Sequence, residues 1–296
     1  MEAETEGKTR IWMLYNRKPN LDPDVLSNYQ SIANLPFVSK LLERIVSSQL
    51  MSYVDSNHLL PTNQSAYRNL HSTETALLKV LNDLLLAVDK VHSPESSVVI
   101  MESTTLCMLT TLKFMSPGDR IAAVNSLREC LNDIKAWSTA NRLRLNEDKS
   151  ELIHFSSQFR STDPLPDLTT RDGVIKVSDC VRDLGFTLDK HLTLKHHITN
   201  ICKSASWGIF KIGKIRRLLD QSSAERLVHA FVSSYLDYCN SLLAGLPLSH
   251  ISPLQRIQNS AARLVSLSRR HDHISPVLRS LHWLPFHSRI TFKSYF

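Results

Sequence analysis

SSVVIMESTTLCML (residues 96–109) decides how the rest of the chain is read. Val98, Val99, Ile100 and Met101 are strand formers in a short unbroken apolar run, the pattern of a strand covered on both faces. The run ends on a single acidic residue, Glu102, followed by Ser103, Thr104 and Thr105. Enzymes often put a carboxylate at the end of such a strand to hold a metal ion. One carboxylate beside three hydroxyls leaves three readings: a catalytic strand, the ruin of one, or a structural strand.

The chain has 296 residues, enough for one large domain or two ordinary ones with a sizeable core. Hydrophobic content of 42% and charged content of 21% are ordinary for a globular protein. No apolar run approaches the roughly 18 residues of a membrane span. The acidic start MEAETEGKTR has neither signal-peptide nor transit-peptide character, so an intracellular protein without a membrane partner is expected. Five cysteines (107, 130, 180, 202, 239) are odd in number and scattered, which argues against a disulfide framework and a zinc site and fits a reducing compartment. The net charge of +7 is uneven: residues 1–150 carry 16 Lys+Arg against 17 Asp+Glu, and residues 151–296 carry 19 against 11. A basic C-terminal half suits a polyanion, most simply nucleic acid; helices with well-solvated lysines are the alternative.

Residues 1–26 have no clear period, and NRKPNLDPDVL (16–26) reads as loop. Phe37, Leu41 and Ile45 begin an amphipathic helix that runs to about Tyr53. NQSAYRNLHS (63–72) reads as a short strand or turn. Ser72 or Thr73 then caps a second helix with Leu77, Leu81, Leu84, Leu85 and Val88 on one face. HSPESS (92–97) breaks it, and SPGD (116–119) is a turn. Ile121, Val124, Leu127, Leu131, Ile134 and Trp137 mark a long third helix. RLRLNEDKSELIHF (142–155) reads as strand, turn at Asn146–Lys149, strand; GVIKV and VRDLGFTLD (181–189) add two strand candidates. Beyond Leu192 the chain is nearly all helix, with capping boxes expected at Ser222–Glu225 and at Ser252–Gln255, the latter with Pro253 as its first helical residue. Helices, a small sheet, then more helices make an α+β layout, predominantly helical.

Several stretches resemble the reverse transcriptase of non-LTR (LINE-type) retrotransposons. NYQSIANLPFVSKLLERIV (28–46) and NQSAYRNLHSTETALLKVLNDLL (63–85) are similar to two finger segments of that family. LNDIKAWSTANRLRLNEDKSELIHF (131–155) resembles the helix, turn and strand that follow its catalytic YADD box. VRDLGFTLDKHLTLKHHI (181–198) resembles its primer grip, and LQRIQNSAARLV and LHWLPFHSRITFK resemble thumb-side helices. The resemblance covers most of residues 27–293 in the family's order. It implies the remnant of a right-hand polymerase: residues 1–26 outside the family's pattern, 27–99 finger segments, 100–191 a reduced palm, and 192–296 a thumb-like basic helical half.

The family's activity is RNA-directed DNA polymerisation, which uses two divalent cations about 4 Å apart, Mg²⁺ in the intact enzymes, held by three aspartates. Here the block that should carry those aspartates, on the order of a hundred residues, is missing. The local match to YADDTQL is IMESTTL (100–106), with Glu102 and Ser103 at the two aspartates. In an alternative match Glu102 stands for the first palm aspartate and the YADD turn is gone. Either way at most one carboxylate survives, so a degenerate, inactive site without a cofactor is expected. A binding or interaction module without catalysis is the alternative, and recruitment of Asp83, Asp89 or Asp119 to a working site is a third reading. No small-molecule cofactor motif is present, and the expected partner is an RNA or DNA primer–template.

The resemblance implies a phosphate contact for Arg68, and for Lys149 the position of the lysine that protonates the leaving pyrophosphate. Surface roles are the alternatives for both. KSASWGIFKIGKIRR (203–217) supplies Lys203, Lys211, Lys214, Arg216 and Arg217 as nucleic-acid contacts, with Arg256, Arg263, Arg269 and Arg270 as a second group. Trp207, Phe210 and Ile212 between those cations are expected to be the core face of the helix. His196–His197 and His271-Asp272-His273 are expected to be solvent-exposed.

Overall fold

The computed structural model describes residues 12–17, 24, 29–34, 36–61, 64–66, 68–90, 97–103, 114–116, 120–142, 150–155, 167–169 and 173–295. The expected turns at 117–119 and 146–149, the break at 92–96 and the strand at 143–145 lie outside them. The chain divides into two compact units, residues 1–64 and 65–296.

In the first unit, β1 (Trp12–Arg17) pairs antiparallel with β2 (Tyr29–Asn34), Trp12 opposite Asn34 and Arg17 opposite Tyr29. A strand at 12–17 is not expected from the sequence, and its last two residues correct the loop expected from 16; of the rest of that loop only Asp24 is among the described residues. WMLYNR is rich in strand formers but does not alternate, so pairing rather than pattern defines the strand. After Pro36 comes α1 (Phe37–Ser56), where the apolar period places it. None of its residues is buried.

The second unit opens with turns at residue 66 and residues 69–70, the turn alternative of the sequence reading, and then α2 (Thr73–Lys90). Ser72 is the cap: its hydroxyl accepts from the Thr75 amide at 3.2 Å, while the Ser72 amide donates to Thr75 Oγ1 at 2.8 Å. Leu77, Leu81 and Leu84 are buried as expected, but Leu85 is exposed. β3 (Ser97–Ser103) and β4 (Phe114–Ser116) precede α3 (Arg120–Ala140), and β5 (Ser150–Phe155) follows it. Then come β6 (Leu168–Thr169), β7 (Val174–Ile175), β8 (Val177–Ser178), β9 (Cys180–Asp183) and β10 (Phe186–Asp189). The main sheet runs β4-β3-β5-β8, antiparallel except for the β5–β8 pair. β6 and β7 pair by themselves, as do β9 and β10. VRDLGFTLD is thus a hairpin, not a single strand. Its two-residue turn, Leu184–Gly185, has positive φ at both positions (45° and 85°), the geometry that matches strand twist.

The remainder is helical: α4 (Lys195–Ile215), a 3₁₀ turn at Arg216–Leu218, α5 (Gln221–Val228), a π-helical turn at His229–Ser233, and α6 (Ser234–Asp237). A 3₁₀ turn at Asn240–Leu243, α7 (Leu248–Ser266), α8 (Ile274–Ser280) and α9 (Phe286–Tyr295) complete it. Both expected capping boxes are corrected. Asp220 caps α5, accepting from the Ser223 amide at 3.1 Å. α7 begins at Leu248, with Pro253 inside it. Proline removes the amide that would reach the Ser249 carbonyl. The Ser252 hydroxyl donates to that carbonyl at 3.1 Å instead. One core joins α2, β5, the β9–β10 hairpin, α4, α7 and α9 through Leu77, Phe155, Phe186, Ile201, Leu254 and Phe286. The architecture is α+β with a small sheet and a dominant helical part.

Candidate functional site

α4 starts on a buried carboxylate. Asp189, at the end of β10, accepts from the Leu194 amide at 2.6 Å and from the Thr193 amide and hydroxyl, both at 2.9 Å. These bonds hold the connection through two positive-φ leucines, 192 and 194, and set the first turn of the helix. His197, Ile198, Ile201, Ala205, Gly208 and Ile212 then face the core at helical spacing. Gly208 is required there: a Cβ would stand 2.6 Å from the carbonyl oxygen of Phe231 in the π-helical turn.

The opposite face carries Lys203, Trp207, Phe210, Lys211 and Lys214, all exposed. Trp207 and Phe210 are 58% and 52% exposed, which overturns their assignment to the core; only Ile212 of that trio is buried. The two rings stack at 5.6 Å between centroids and 20° between planes. Lys211 Nζ lies 5.2 Å from the Trp207 ring centroid and Lys214 Nζ 4.6 Å from that of Phe210. No Asp or Glu occurs between Asp189 and Asp220, so the cations on this face have no acidic neighbour in their own segment.

Arg216 leaves the set of candidate contacts. It is buried, its Nε donating to the Leu264 carbonyl at 2.8 Å, Nη2 to that of Val265 at 2.8 Å and Nη1 to that of Leu219 at 2.7 Å. Leu264 and Val265 lie in the last turn of α7, whose carbonyls have no partner within the helix. Arg216 therefore caps α7 and fastens the end of α4 to it, while Arg217 stays exposed. Of the second basic group, Arg263 donates to the Asp272 carbonyl at 3.2 Å, and the Arg269 amide donates to Asp272 Oδ2 at 2.7 Å. Arg256, Arg269 and Arg270 are exposed.

The histidine expectation holds for His196, His271 and His273 and fails for His197. His197 is buried against Phe186, with ring centroids 3.8 Å apart. The Thr187 amide donates to its Nδ1 at 3.3 Å. Burial, and then the charge of Arg182, lowers its pKa to about 4, so it stays neutral at physiological pH. Among the described residues no group of three or more His, Cys, Asp or Glu is set to hold a metal ion.

β3 lies between β4 and β5, and the backbone register sets Glu102 opposite Glu151 and Ser103 opposite Ser150. Glu151 carried no signal in the sequence, because only the pairing of distant strands brings it level with Glu102. The four strands of the sheet hold just these two acidic residues. Arg68 is half-buried in the turn before α2, its carbonyl accepting from the His71 amide at 3.3 Å. Lys149 lies outside the described residues.

No family model matches the chain. Over 149 residues, 49% of the chain, it is 23% identical to the RNA-directed DNA polymerase from mobile element jockey of Drosophila melanogaster, covering 16% of that protein. A 72-residue stretch, 24% of the chain, is 31% identical to the probable RNA-directed DNA polymerase from transposon X-element of the same organism, covering 8% of it. The jockey polymerase of Drosophila funebris aligns with 84% of the chain at 19% identity, covering 37% of that relative. The chain thus spans well under half the length of the curated relatives it matches. The last alignment runs over 338 positions, more than the 296 residues of the chain, so parts of that relative have no counterpart here.

Proposed function

We propose that this divergent relative of the non-LTR retrotransposon RNA-directed DNA polymerases binds nucleic acid without carrying out nucleotidyl transfer. In this reading residues 27–99 derive from fingers, 100–191 from a reduced palm and 192–296 from a helical thumb. The observation that carries it is the acid count of the sheet: Glu102 and Glu151 are the two acidic residues on its four strands. A pair of dications about 4 Å apart needs several carboxylates held to within about 0.5 Å. Ser103, where the resemblance expects an aspartate, offers a neutral oxygen. The residues of these four strands do not fit a metal pair, and no catalytic step follows from them. The positions of the Drosophila funebris relative that face gaps agree with a lost segment.

Binding is supported by the exposed cations of α4 and by the excess of basic residues after position 150. Arg68 is retained in the reading as a phosphate contact, and Lys149 as a residue without a catalytic task. The test is a primer-extension assay on an RNA template with Mg²⁺ or Mn²⁺, run beside a binding measurement on the same primer–template. Binding without extension is expected. Extension that is abolished by Glu102→Gln contradicts the reading, and so does the absence of any binding.

A further inference from the structure

Lys203, Trp207, Phe210, Lys214 and Arg217 are spaced by alternating steps of four and three, which keeps them on one side of α4 and its following turn. All five are exposed. We infer that this stripe is a binding site for single-stranded nucleic acid, with bases stacked on Trp207 and Phe210 and phosphates held by Lys203, Lys211, Lys214 and Arg217. The inference rests on the nucleic-acid-binding reading above and adds the site and the strand state.

Three features point to this ligand. The rings are two adjoining flat platforms, stacked at 5.6 Å, and an aromatic face accepts any base whose own face is free. A duplex hides its base faces inside the stack, so only unpaired bases can use them. Ammonium groups already lie over both rings, 5.2 Å and 4.6 Å from the centroids. When a base arrives, each lysine swings on its long stem from the ring to a backbone phosphate and gives up its place. The charge is also of one sign, without an acidic residue from 190 to 219.

An apolar protein partner fits poorly. Its approach would strip water from the cations that interrupt the rings without offering them a counter-charge. An acidic peptide would satisfy the cations and leave the rings unused. The platform is also held still. Gly208, between the rings in sequence, is pressed against the Phe231 carbonyl, and Arg216 ties the end of the helix to α7. A helix fixed in this way loses little freedom when a base stacks on its rings.

The experiment is fluorescence anisotropy with a labelled 12-nucleotide oligo-uridine and the full chain, competed by a blunt duplex and by polyglutamate. The wild-type chain is expected to prefer the single strand over the duplex at equal phosphate concentration. Its log affinity should fall with log salt at a slope of about −3, for four phosphates at roughly 0.7 each. Trp207→Ala is expected to weaken binding roughly 5- to 150-fold, and Trp207→Phe to retain most of the affinity. Lys211→Gln with Lys214→Gln should flatten the slope by about 1.4. Trp207 is exposed, so the circular dichroism and melting of its variants check that the fold is intact. Equal binding of duplex and single strand, with Trp207→Ala silent, overturns this site while leaving nucleic-acid binding standing. Competition by polyglutamate as strong as by oligo-uridine reduces the stripe to a general polyanion surface and also overturns it. Failure to bind any nucleic acid removes both readings.

Discussion

Asp183→Asn raises the stability of the fold at neutral pH, and the gain fades in acid. Asp183 ends β9 with 5% of its surface exposed, and its Oδ1 has no hydrogen-bond partner among the described residues. Burial pushes its carboxyl up to about 6 from the ordinary 3.8. A carboxyl raised in this way supports the fold fully below the unfolded value of 3.8 and loses that support as the pH rises through 6. Ionised Asp183 therefore costs the fold about 3 kcal/mol at pH 7. His197 has the opposite effect. Its lowered value, about 4 against the ordinary 6.5, leaves the fold unpenalised above 6.5 and costs it about 3 kcal/mol as the pH falls to 4.

Between pH 7 and 4 these two effects nearly cancel in the natural chain. The asparagine variant isolates the first of them. Urea denaturation of both chains, followed by circular dichroism, should give the variant an advantage of about 3 kcal/mol at pH 7, about 1.5 at pH 5 and under about 1 at pH 4. A difference that is independent of pH, or a variant less stable at every pH, refutes the assignment of an unpartnered buried carboxylate to Asp183.

Gly208→Ala sets a Cβ 2.6 Å from the Phe231 carbonyl and should lower the urea midpoint by the equivalent of about 1–3 kcal/mol. Arg216→Gln withdraws three charged donors from backbone carbonyls and should cost about 2–3 kcal/mol in thermal melts. Oligonucleotide affinity per folded molecule should fall less in that variant than in Arg217→Gln, which should weaken binding and leave the melt alone. Glu74→Gln tests the link between α2 and the C-terminal helices: Glu74 Oε2 lies 2.6 Å from Lys293 Nζ, and its Oε1 accepts from the amide and hydroxyl of Ser241. Burial raises this carboxyl, but the bonds from Lys293 and Ser241 outweigh it and hold the pKa below 4.5. Its support is therefore present above pH 4.5 and lost as pH falls through the folded value; the variant should lose on the order of 1–2 kcal/mol at pH 7, and less in acid, by the same denaturation assay.

Local order was largely legible in the residues. The apolar periods of α1, α2 and α3 and the Ser72 cap depend on neighbours three or four positions apart, so one strand of text contains them. The errors arose where two local signals competed. Ser222–Glu225 has the spacing of a capping box, yet Asp220 reaches the free amide first. Pro253 resembles a helix start until Ser252 supplies the hydrogen bond that proline lacks. The candidate site was half legible. Lys203, Lys211, Lys214 and Arg217 are exposed as their charge demands, but nothing in KIRR distinguishes the buried Arg216 from Arg217. That choice depends on the carbonyls at the end of α7, almost fifty residues away. Trp207 and Phe210 look like core residues in any hydrophobicity pattern, and α4 turns them outward because Gly208 and Ala205 already fill the side that meets the π-helical turn and the core. Likewise, only the β3–β5 register brings Glu102 level with Glu151.

A Mn²⁺ titration followed by electron paramagnetic resonance tests the poverty of carboxylates at the end of β3 most directly, because the signal counts the free ion. With primer–template and nucleotide present, the chain should remove no more Mn²⁺ than a matched blank without protein. Saturable uptake of two ions per chain, lost on Glu102→Gln, would contradict it.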